Sequence, residues 1–528
     1  MKTGAWRRDP GRVGPCGVVS GRVGAGKARG LLFLSGFKYP AVRLDPGAGP
    51  GWRDVSLASG ARGPYGRAMS TSMTLSRHMR ATLVLGLPLV GGHLAQFAIG
   101  LTDTVMLGRY SIEALAAGTL ANSYFFVFFL FGAGFALAVM PMVATYVASG
   151  DETSVRRVTR MGLWLSLMFS TLAMPVFWWS EALLLGLGQT PDVAALASDY
   201  LKVAGWGIFP ALLVMVLKSY LAALERTRVV LWVTVLAALM NAVGDYVLIF
   251  GHLGLPEMGI VGAATASIVT HCTALAGAAV YAVIARPDHQ LFVRFWRADW
   301  EMFAKVLRMG VPIGVTTLSE VSLFAGSAML MGWLGTIPLA AHGIAMQLGA
   351  AMFMMHLGVS NAATVRAGQA YGQRDGVALR RGAAAALILS SIVSLVTIVG
   401  FLTIPDLLLD LFLDADNPDR PQILAIGVGL LAVAALFQMM DGAQVVALGL
   451  LRGVHDTTVP MVMAGVGYWV VGLPASYGLG FVAGYGAVGI WLGLVLGLVT
   501  AAVLLLWRFW GWAVQQVPAR AAATAAAG

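Results

Sequence analysis

The chain has 528 residues, of which 58% are apolar and only 11% are charged. Soluble domains carry about a quarter charged residues, so this composition excludes an ordinary soluble protein and indicates one that crosses a membrane many times. The net charge of +10 comes from the segment 1–80, which holds 14 Lys and Arg against three Asp, so it predicts no nucleic-acid partner for the rest of the chain.

Residues 1–78 form a basic extension that is rich in Gly, Arg and Pro. Its one apolar run, 31–37, is too short to span a bilayer or to serve as the core of a signal peptide. Three interpretations stay open: a translation start placed too early, with Met69 or Met73 as the real start; a disordered cytoplasmic tail; or a targeting peptide.

Twelve stretches of the remaining chain are long and apolar enough to cross a bilayer, which takes about 20 residues of helix. They lie at about 81–107, 115–147, 158–178, 195–222, 229–250, 259–285, 303–333, 339–369, 382–404, 423–451, 457–481 and 487–512. Several are clearly longer than this minimum, which indicates tilted helices or helices that extend beyond the membrane. We therefore predict an all-α polytopic membrane protein with twelve transmembrane helices.

The charges of the connecting loops predict an orientation. Alternate connections are basic, for example the one at 286–308, whereas the opposite set holds little positive charge and includes the acidic loop 406–419. Basic loops remain in the cytoplasm. We therefore expect both termini to be cytoplasmic, including a short tail at 516–528.

The chain also repeats itself. The segment GLPLVGGHLAQ at 86–96 matches the segment GVPIGVTTLSE at 310–320 without a gap. Because both copies would start on the same side of the membrane, they are parallel repeats related by an axis along the membrane normal. We predict two six-helix lobes, 79–290 and 291–515, around a central cleft.

Four carboxylates lie inside the apolar spans: Asp103, Asp245, Glu320 and Asp441. An ionised acid in hydrocarbon is costly, so such residues persist where they face a watery cavity, bind a proton or cation, or pair with one another. The acids are not part of the repeated pattern, because the residues aligned with them in the other half are not acidic. Gln96 aligns with Glu320, Ser327 with Asp103 and Gly472 with Asp245. The acids therefore indicate a transporter that handles positive charge.

Asp103 and Asp245 are expected at similar depth, which favours one shared site, although an acid near a helix end can also simply reach the lipid headgroups. Asn241 precedes Asp245 by four residues and so lies on the same helical face. Its amide can hold the carboxylate or complete the oxygen shell of a cation. Glu320 and Asp441 are expected deeper in their spans, which weakens the headgroup interpretation for them.

Other polar residues are weaker candidates. Lys218 and Arg366 lie near helix ends, where long basic side chains reach the membrane interface. His271, His342 and His356 lack metal-ligand spacing, and we expect them to pack or to form hydrogen bonds. The chain has only two cysteines and none of the common hydrolase, zinc or nucleotide motifs, so the sequence indicates no enzyme.

Several of these segments resemble the multidrug and toxic compound extrusion (MATE) family, in particular its NorM-like bacterial branch. The resemblance runs from about residue 80 to 515 and rests on FAIGLTDTVMLGRYSIEALAA, MNAVGDYVLIFG, the Glu320 segment and QMMDGAQVVALGLLRG. It implies a secondary antiporter in the bacterial inner membrane that exports organic cations in exchange for Na⁺ or H⁺. It implies no cofactor apart from that coupling ion, and we expect a monomer.

The resemblance also implies roles for the acids. Asp103 matches the aspartate of helix 1 that is implicated in coupling and substrate release, and Asn241 with Asp245 matches the polar pair of helix 5. Glu320 and Asp441 match the acidic pair that binds the coupling cation, which would be Na⁺ in a sodium-coupled member. Acids in both lobes leave the coupling ion open between sodium and protons.

Two further residues of the first span have expected roles. Pro88 matches the proline at which helix 1 bends in some family members. Gln96, which aligns with Glu320 in the repeat, is expected to give polar support to the substrate site.

Other functions fit the sequence less well. A lipid-linked precursor flippase of the wider superfamily would need a basic cleft for a pyrophosphate headgroup, and the deep spans hold acids instead. A channel is disfavoured by the parallel repeat and the scattered single acids. A membrane-embedded enzyme would need a nucleophile or metal set that the sequence lacks.

Overall fold

A computed structural model describes residues 73–413 and 418–517 of the chain. Most of the predicted extension, including the alternative start at Met69, lies outside the described residues, as do 414–417 of the acidic loop and 518–528 of the tail. The described part contains fifteen α-helices and no β-strand.

Twelve helical segments of the described residues are long and apolar enough to cross a membrane, which confirms the predicted number. Eleven are single α-helices: α1 (Leu75–Tyr110), α2 (Ile112–Ser149), α3 (Glu152–Trp178), α5 (Pro191–Ala223), α6 (Thr227–Phe250), α7 (Gly259–Ala285), α8 (Trp300–Leu334), α9 (Thr336–Gly372), α10 (Gly376–Thr403), α12 (Arg420–Gly453) and α15 (Gly486–Arg508). Two short helices, α4 (Ser180–Gly186) and α11 (Pro405–Asp410), lie in the connections. Since α1 begins at Leu75, residues 75–78 of the predicted extension belong to the first helix.

The eleventh span, Thr458–Val482, is not one continuous α-helix. It consists of α13 (Thr458–Gly465), a π-helical segment Val466–Gly472, α14 (Leu473–Tyr477) and a second π-helical segment Gly478–Val482. Its backbone lies directly against α15, since a Cβ atom on Gly497 would lie 2.7 Å from Gly472 Cα. π-helical turns within helices are frequent at functional sites, and Tyr468 lies in the first of them.

Side-chain caps and a glycine set several helix limits. Ser111 accepts a hydrogen bond from Ala114 N at the start of α2, and Asp299 accepts one from Met302 N at the start of α8. Such caps satisfy backbone donors that the first turn of a helix leaves free. α2 ends at Ser149, and the following residue, Gly150, has a φ of +81°, a conformation that favours glycine because it has no Cβ atom.

The first six spans pack mainly on one another, and so do the last six. We name them the N-bundle (α1 to α7) and the C-bundle (α8 to α15). The corresponding helices α2 and α9 begin at Ile112 and Thr336, with the same offset that aligns 86–96 with 310–320 in the sequence repeat. The predicted lobe boundary after residue 290 falls in the connection between α7 and α8.

The two bundles meet at one end, where both α2 and α9 become buried. In α2 none of residues 122–131 is buried, whereas nearly all of 132–145 are; in α9 none of 346–355 is buried, whereas nearly all of 356–370 are. Apolar residues of both bundles, such as Val139 and Ile313, share one core there, while toward the other end each bundle has a core of its own. We name the end where α1 begins and α2 ends the closed end; the cleft opens toward the opposite end.

Glycines let the bundles approach closely near the closed end. A Cβ atom on Gly134 of α2 would lie 2.5 Å from both Gly310 O and Gly314 N of α8. Interiors are packed too densely to absorb such an overlap without moving the backbone. A larger side chain at Gly134 would therefore push the two bundles apart.

Candidate functional site

Asp103 of α1 and two residues of α6, Asn241 and Asp245, lie together inside the N-bundle. The amide nitrogen of Asn241 donates a 3.0 Å hydrogen bond to Asp103 Oδ1, and the carboxyl of Asp245 lies beside that of Asp103. Asn241 and Asp245 are fully buried. The structure thus brings together the three residues that the sequence placed at one site.

This site holds oxygens that no donor satisfies. Neither oxygen of Asp245 nor Oδ1 of Asn241 has a hydrogen-bond partner among the described residues. Buried polar atoms are nearly always paired, and two adjacent carboxylates disfavour each other's charge. The arrangement can therefore take up a proton or a cation, which carboxylate and amide oxygens would coordinate.

Two residues that the sequence analysis missed complete the site. Tyr200 of α5 is buried close to both acids, and Ser267 of α7 lies beside Tyr200. A Tyr and a Ser inside apolar spans carry no distinctive pattern, so only the packing of α5 and α7 against α1 and α6 reveals them. We name Asp103, Asn241, Asp245, Tyr200 and Ser267 the N-site.

A second pair of acids lies inside the C-bundle. Glu320 of α8 and Asp441 of α12 are neighbours and both are buried. Gln444, three residues after Asp441 on α12, lies beside Glu320 and donates a hydrogen bond to Tyr468 Oη. We name Glu320, Asp441, Gln444 and Tyr468 the C-site.

The C-site has the same chemical character as the N-site. Both oxygens of Asp441, Oε1 of Glu320 and Oε1 of Gln444 are buried without a hydrogen-bond partner among the described residues. Arg452, in the last turn of α12, acts on Glu320 electrostatically, but the two side chains form no hydrogen bond or ion pair. The C-site therefore also presents free oxygen ligands to a proton or a cation.

The four acids form two pairs rather than one cluster. In residues 73–413 and 418–517, no hydrogen bond or ion pair joins the N-site to the C-site, and no group of three or more His, Cys, Asp and Glu side chains is arranged to hold a metal ion. Each site offers two carboxylates and neutral oxygens. Hard cations bind to oxygen ligands of this kind.

The other predicted residues lie outside these hydrogen-bond networks. α1 continues through Pro88 without interruption, and Gln96 is exposed on the same helix; their roles as a bend and as polar support stay predictions. Arg366 is buried and donates a 2.8 Å hydrogen bond to His78 Nδ1. The prediction that Arg366 reaches the membrane interface is therefore wrong.

The expected hydrogen bonds of two histidines are confirmed. Trp491 Nε1 donates to His342 Nδ1 at 3.0 Å, and His356 Nδ1 shares a 2.8 Å hydrogen bond with the Ser390 hydroxyl. Both hydrogen bonds join helices within the C-bundle.

Polar contacts also join the two bundles near the closed end. The Thr145 hydroxyl donates to Gly368 O and lies 3.1 Å from His455 Nε2. Burial lowers the pKa of His455 to about 4, so this histidine is neutral at pH 7. Gln369 donates a 2.9 Å hydrogen bond to Glu225 across the same boundary. A movement that opens the closed end must break these contacts.

Sequence comparisons place the chain among known proteins. The sequence model of the MatE family matches residues 88–247 and 312–478, more than half of the chain, and the starts of the two matches have the offset of the internal repeat. "Probable multidrug resistance protein NorM" of Rhizobium meliloti (strain 1021) is 48% identical over 437 residues, which are 82% of this chain and 93% of the relative. The protein of the same name from Agrobacterium fabrum (strain C58 / ATCC 33970) is 45% identical over 435 residues, which are again 82% of this chain and 93% of the relative.

Solved structures share the fold. The outward-facing conformation of a multidrug resistance MATE family transporter of the MOP superfamily has a TM-score of 0.76 at 20% identity, over 83% of this chain and 96% of that one. The eukaryotic MATE transporter AtDTX14 has a TM-score of 0.73 at 16% identity, over 84% of this chain and 98% of that one. The family model matches both halves of the chain, and relatives are nearly half identical to it along most of their length. This multi-pass membrane protein therefore belongs to the MatE family.

Proposed function

We propose that this protein is a secondary active antiporter that exports organic cations in exchange for Na⁺ or H⁺. The observation that carries the proposal is the presence of two buried acid pairs with unpartnered oxygens in bundles that flank a cleft. The relatives named as multidrug resistance proteins support organic compounds as the substrates.

Charge competition supplies the coupling. A proton or cation at an acid pair removes the cost of an uncompensated buried charge. An organic cation in the cleft needs the same negative charge, so each ligand lowers the other's affinity, and this coupling is reciprocal. Where the two ligands favour different arrangements of the bundles, binding of one promotes release of the other on the opposite side of the membrane.

The open cleft corresponds to an outward-facing state in this proposal. If both termini are cytoplasmic, as the loop charges predict, the closed end lies on the cytoplasmic side and the cleft opens to the periplasm. The exported compound leaves and the coupling ion enters in this state. We place the protein in the bacterial inner membrane and expect it to work as a monomer.

The alternative, a lipid-linked precursor flippase, is less well supported. Its substrate carries a pyrophosphate, which buried acid pairs would repel at both the N-site and the C-site. The relatives that share nearly half of the sequence are named for drug resistance. Both observations favour export of cations.

Ethidium efflux from liposomes tests the proposal. Purified protein is reconstituted, the liposomes are loaded with ethidium, and either a sodium gradient or a pH gradient is imposed. We expect one of the two gradients to accelerate efflux, and an ionophore that collapses it to remove the acceleration. Efflux that responds to neither gradient would rule out antiport with these ions.

A further inference from the structure

Lys218 is a basic residue with no acidic side chain beside it. It lies on α5, five residues before the helix ends. Its side chain is surrounded by protein while part of its surface is accessible, as expected where a side chain faces an internal space. It forms no hydrogen bond or ion pair with a described residue, and its polar neighbours include His93 of α1 and His271 of α7. The sequence-based expectation that Lys218 reaches the membrane interface does not describe this position.

The neighbours of Lys218 cannot neutralise an ammonium group. His93 Nε2 accepts a 2.9 Å hydrogen bond from Asn361 Nδ2 of the other bundle, and imidazole and amide groups carry no negative charge. Removing an ammonium from water without an anionic partner is strongly unfavourable. A bound anion would relieve this cost. We name Lys218, His93, His271 and Asn361 the basic layer.

The basic layer lies on the same helices as the N-site but closer to the closed end. The shared helices carry one residue of each group: Asp103 and His93 on α1, Tyr200 and Lys218 on α5, Ser267 and His271 on α7. Along α1 the two groups are ten residues apart, roughly 15 Å of helical rise. The acids of the N-site and the ammonium of Lys218 thus lie at different depths on the same helices, with opposite charges. An occupant with a cation at one end and an anion at the other would match both.

We propose that Lys218 binds the carboxylate of zwitterionic substrates whose cationic group lies toward Asp103 and Asp245. The inference rests on the proposed export of organic cations and adds an anionic determinant of specificity to it. An ammonium–carboxylate hydrogen bond is among the stronger polar contacts in proteins because both partners are charged. The acidic headgroup of a lipid is another source of an anion, and the experiment separates it from the substrate carboxylate.

Two dyes that differ in one group provide the test. Rhodamine 110 carries a free carboxylate, and rhodamine 123 is its methyl ester. Transport of each dye is measured in liposomes of zwitterionic lipid for the wild type, Lys218→Met and Lys218→Arg. We expect Lys218→Met to lower rhodamine 110 transport about tenfold more than rhodamine 123 transport, because only the first dye loses a charge-assisted hydrogen bond. Lys218→Arg should keep the wild-type ratio of rhodamine 110 transport to rhodamine 123 transport, since arginine keeps the positive charge.

Lys202 provides a matched control on the same helix. Its ammonium lies 3.6 Å from Asp199 and 3.9 Å from Glu181 near the surface, so Lys202→Met should leave the ratio of the two dyes unchanged. Correct folding of each variant is checked by size-exclusion chromatography in detergent. If Lys218→Met does not fold, competition in the wild type decides: rhodamine 110 must inhibit ethidium transport at least as well as rhodamine 123 does.

Several outcomes would overturn the proposal. The first is an equal loss of rhodamine 110 and rhodamine 123 transport in Lys218→Met. The second is a wild type that neither transports rhodamine 110 nor is inhibited by it. The third is a ratio of rhodamine 110 to rhodamine 123 transport that changes only when acidic lipid is added. The last outcome would assign Lys218 to a lipid headgroup. A wild type that does not transport rhodamine 123 would count against the proposed export of organic cations instead, so the two failures are distinguishable.

Discussion

Asn241 on α6 donates its amide hydrogen to Asp103 on α1 over 3.0 Å, and this bond holds one acid of the N-site in place. The amide oxygen of Asn241 and both oxygens of Asp245 remain without a donor. One acid is thus fixed by its neighbour while the other keeps its ligand atoms free. Asn241 is therefore the positioning residue of this site.

Removing this amide should weaken the binding of the coupling ion. In Asn241→Ala, Asp103 loses its donor and the site loses one oxygen ligand, so we expect the ion concentration for half-maximal efflux to rise about five- to tenfold. The dependence of ethidium efflux on sodium concentration and on pH measures this change. Met240→Ala, on the exposed face of the same helix, is the matched control. An ion dependence that is the same in Asn241→Ala and the wild type would show that the hydrogen bond does not position the acid for binding.

A disulfide across the closed end should arrest transport. A Cβ atom on Gly368 would lie 3.5 Å from Thr145 Oγ1, a separation that brings two cysteine side chains within bonding range. In a background without Cys16 and Cys272, Thr145→Cys with Gly368→Cys should cross-link under mild oxidation and lose transport, and a reducing agent should restore it.

Each single cysteine variant is the control for the cross-link and should transport equally well with and without oxidant. Transport that continues at full rate in the cross-linked protein would show that the closed end does not need to open.

The connection before α8 should make stability depend on pH. The hydrogen bond from the Arg157 guanidinium holds the pKa of Asp299 below its usual value. A lowered pKa means that the pair stabilises the folded protein above the unfolded pKa of about 3.9 and that this contribution is lost as the pH falls through the folded pKa. Because the pair is partly exposed, we expect Asp299→Asn to cost about 0.5–1 kcal/mol at pH 7.

Thermal unfolding in detergent at several pH values measures this contribution. The difference between the wild type and Asp299→Asn should start to shrink below about pH 4, where the carboxyl of the unfolded chain becomes protonated, and should vanish as the pH falls through the lower folded pKa. Asp299→Ala also removes the cap to Met302 N and should cost about 1 kcal/mol more. A difference between the wild type and Asp299→Asn that is constant from pH 7 to pH 3 would be inconsistent with a charged pair.

The proposed orientation predicts which loops a reagent can reach from outside the cell. In the background without native cysteines, Asp406→Cys at the exposed start of α11 should react with an impermeant thiol reagent in intact spheroplasts. Gln290→Cys in the connection before α8 should react only after permeabilisation. The reverse pattern would place the termini and the closed end on the periplasmic side.

The sequence predicted the fold well because its signals were local and repeated. The apolar spans and the constant offset of the internal repeat need no knowledge of packing. A shared site for Asp103 and Asp245 was predicted from their similar depth, and Asn241 was added because it lies on the same helical face as Asp245. Glu320 and Asp441, which only the family resemblance had paired, lie side by side.

What the sequence could not predict depends on contacts between distant helices. Tyr468 lies in a π-helical segment whose turns break the α-helical period, so its direction toward Gln444 could not be derived. Arg366 lies near a helix end, and only the packing of α9 against α1 shows that it bonds His78 instead of reaching the interface. Lys218 is similar, because its internal surroundings come from α1 and α7.

Cation movement driven by drug is the most direct test of the central claim, that the buried acid pairs couple an ion to the exported compound. An ethidium gradient is imposed on proteoliposomes, and the opposite flux of Na⁺ or H⁺ is recorded for the wild type, Asp441→Asn, Asp245→Asn and the exposed-acid control Asp199→Asn. We predict that ethidium drives an opposite ion flux in the wild type and the control, and that Asp441→Asn lowers this flux at least about tenfold, because the amide keeps the size of the side chain but not its charge. Ethidium movement without any ion flux in the wild type, or a wild-type ion flux in both Asp441→Asn and Asp245→Asn, would contradict the account.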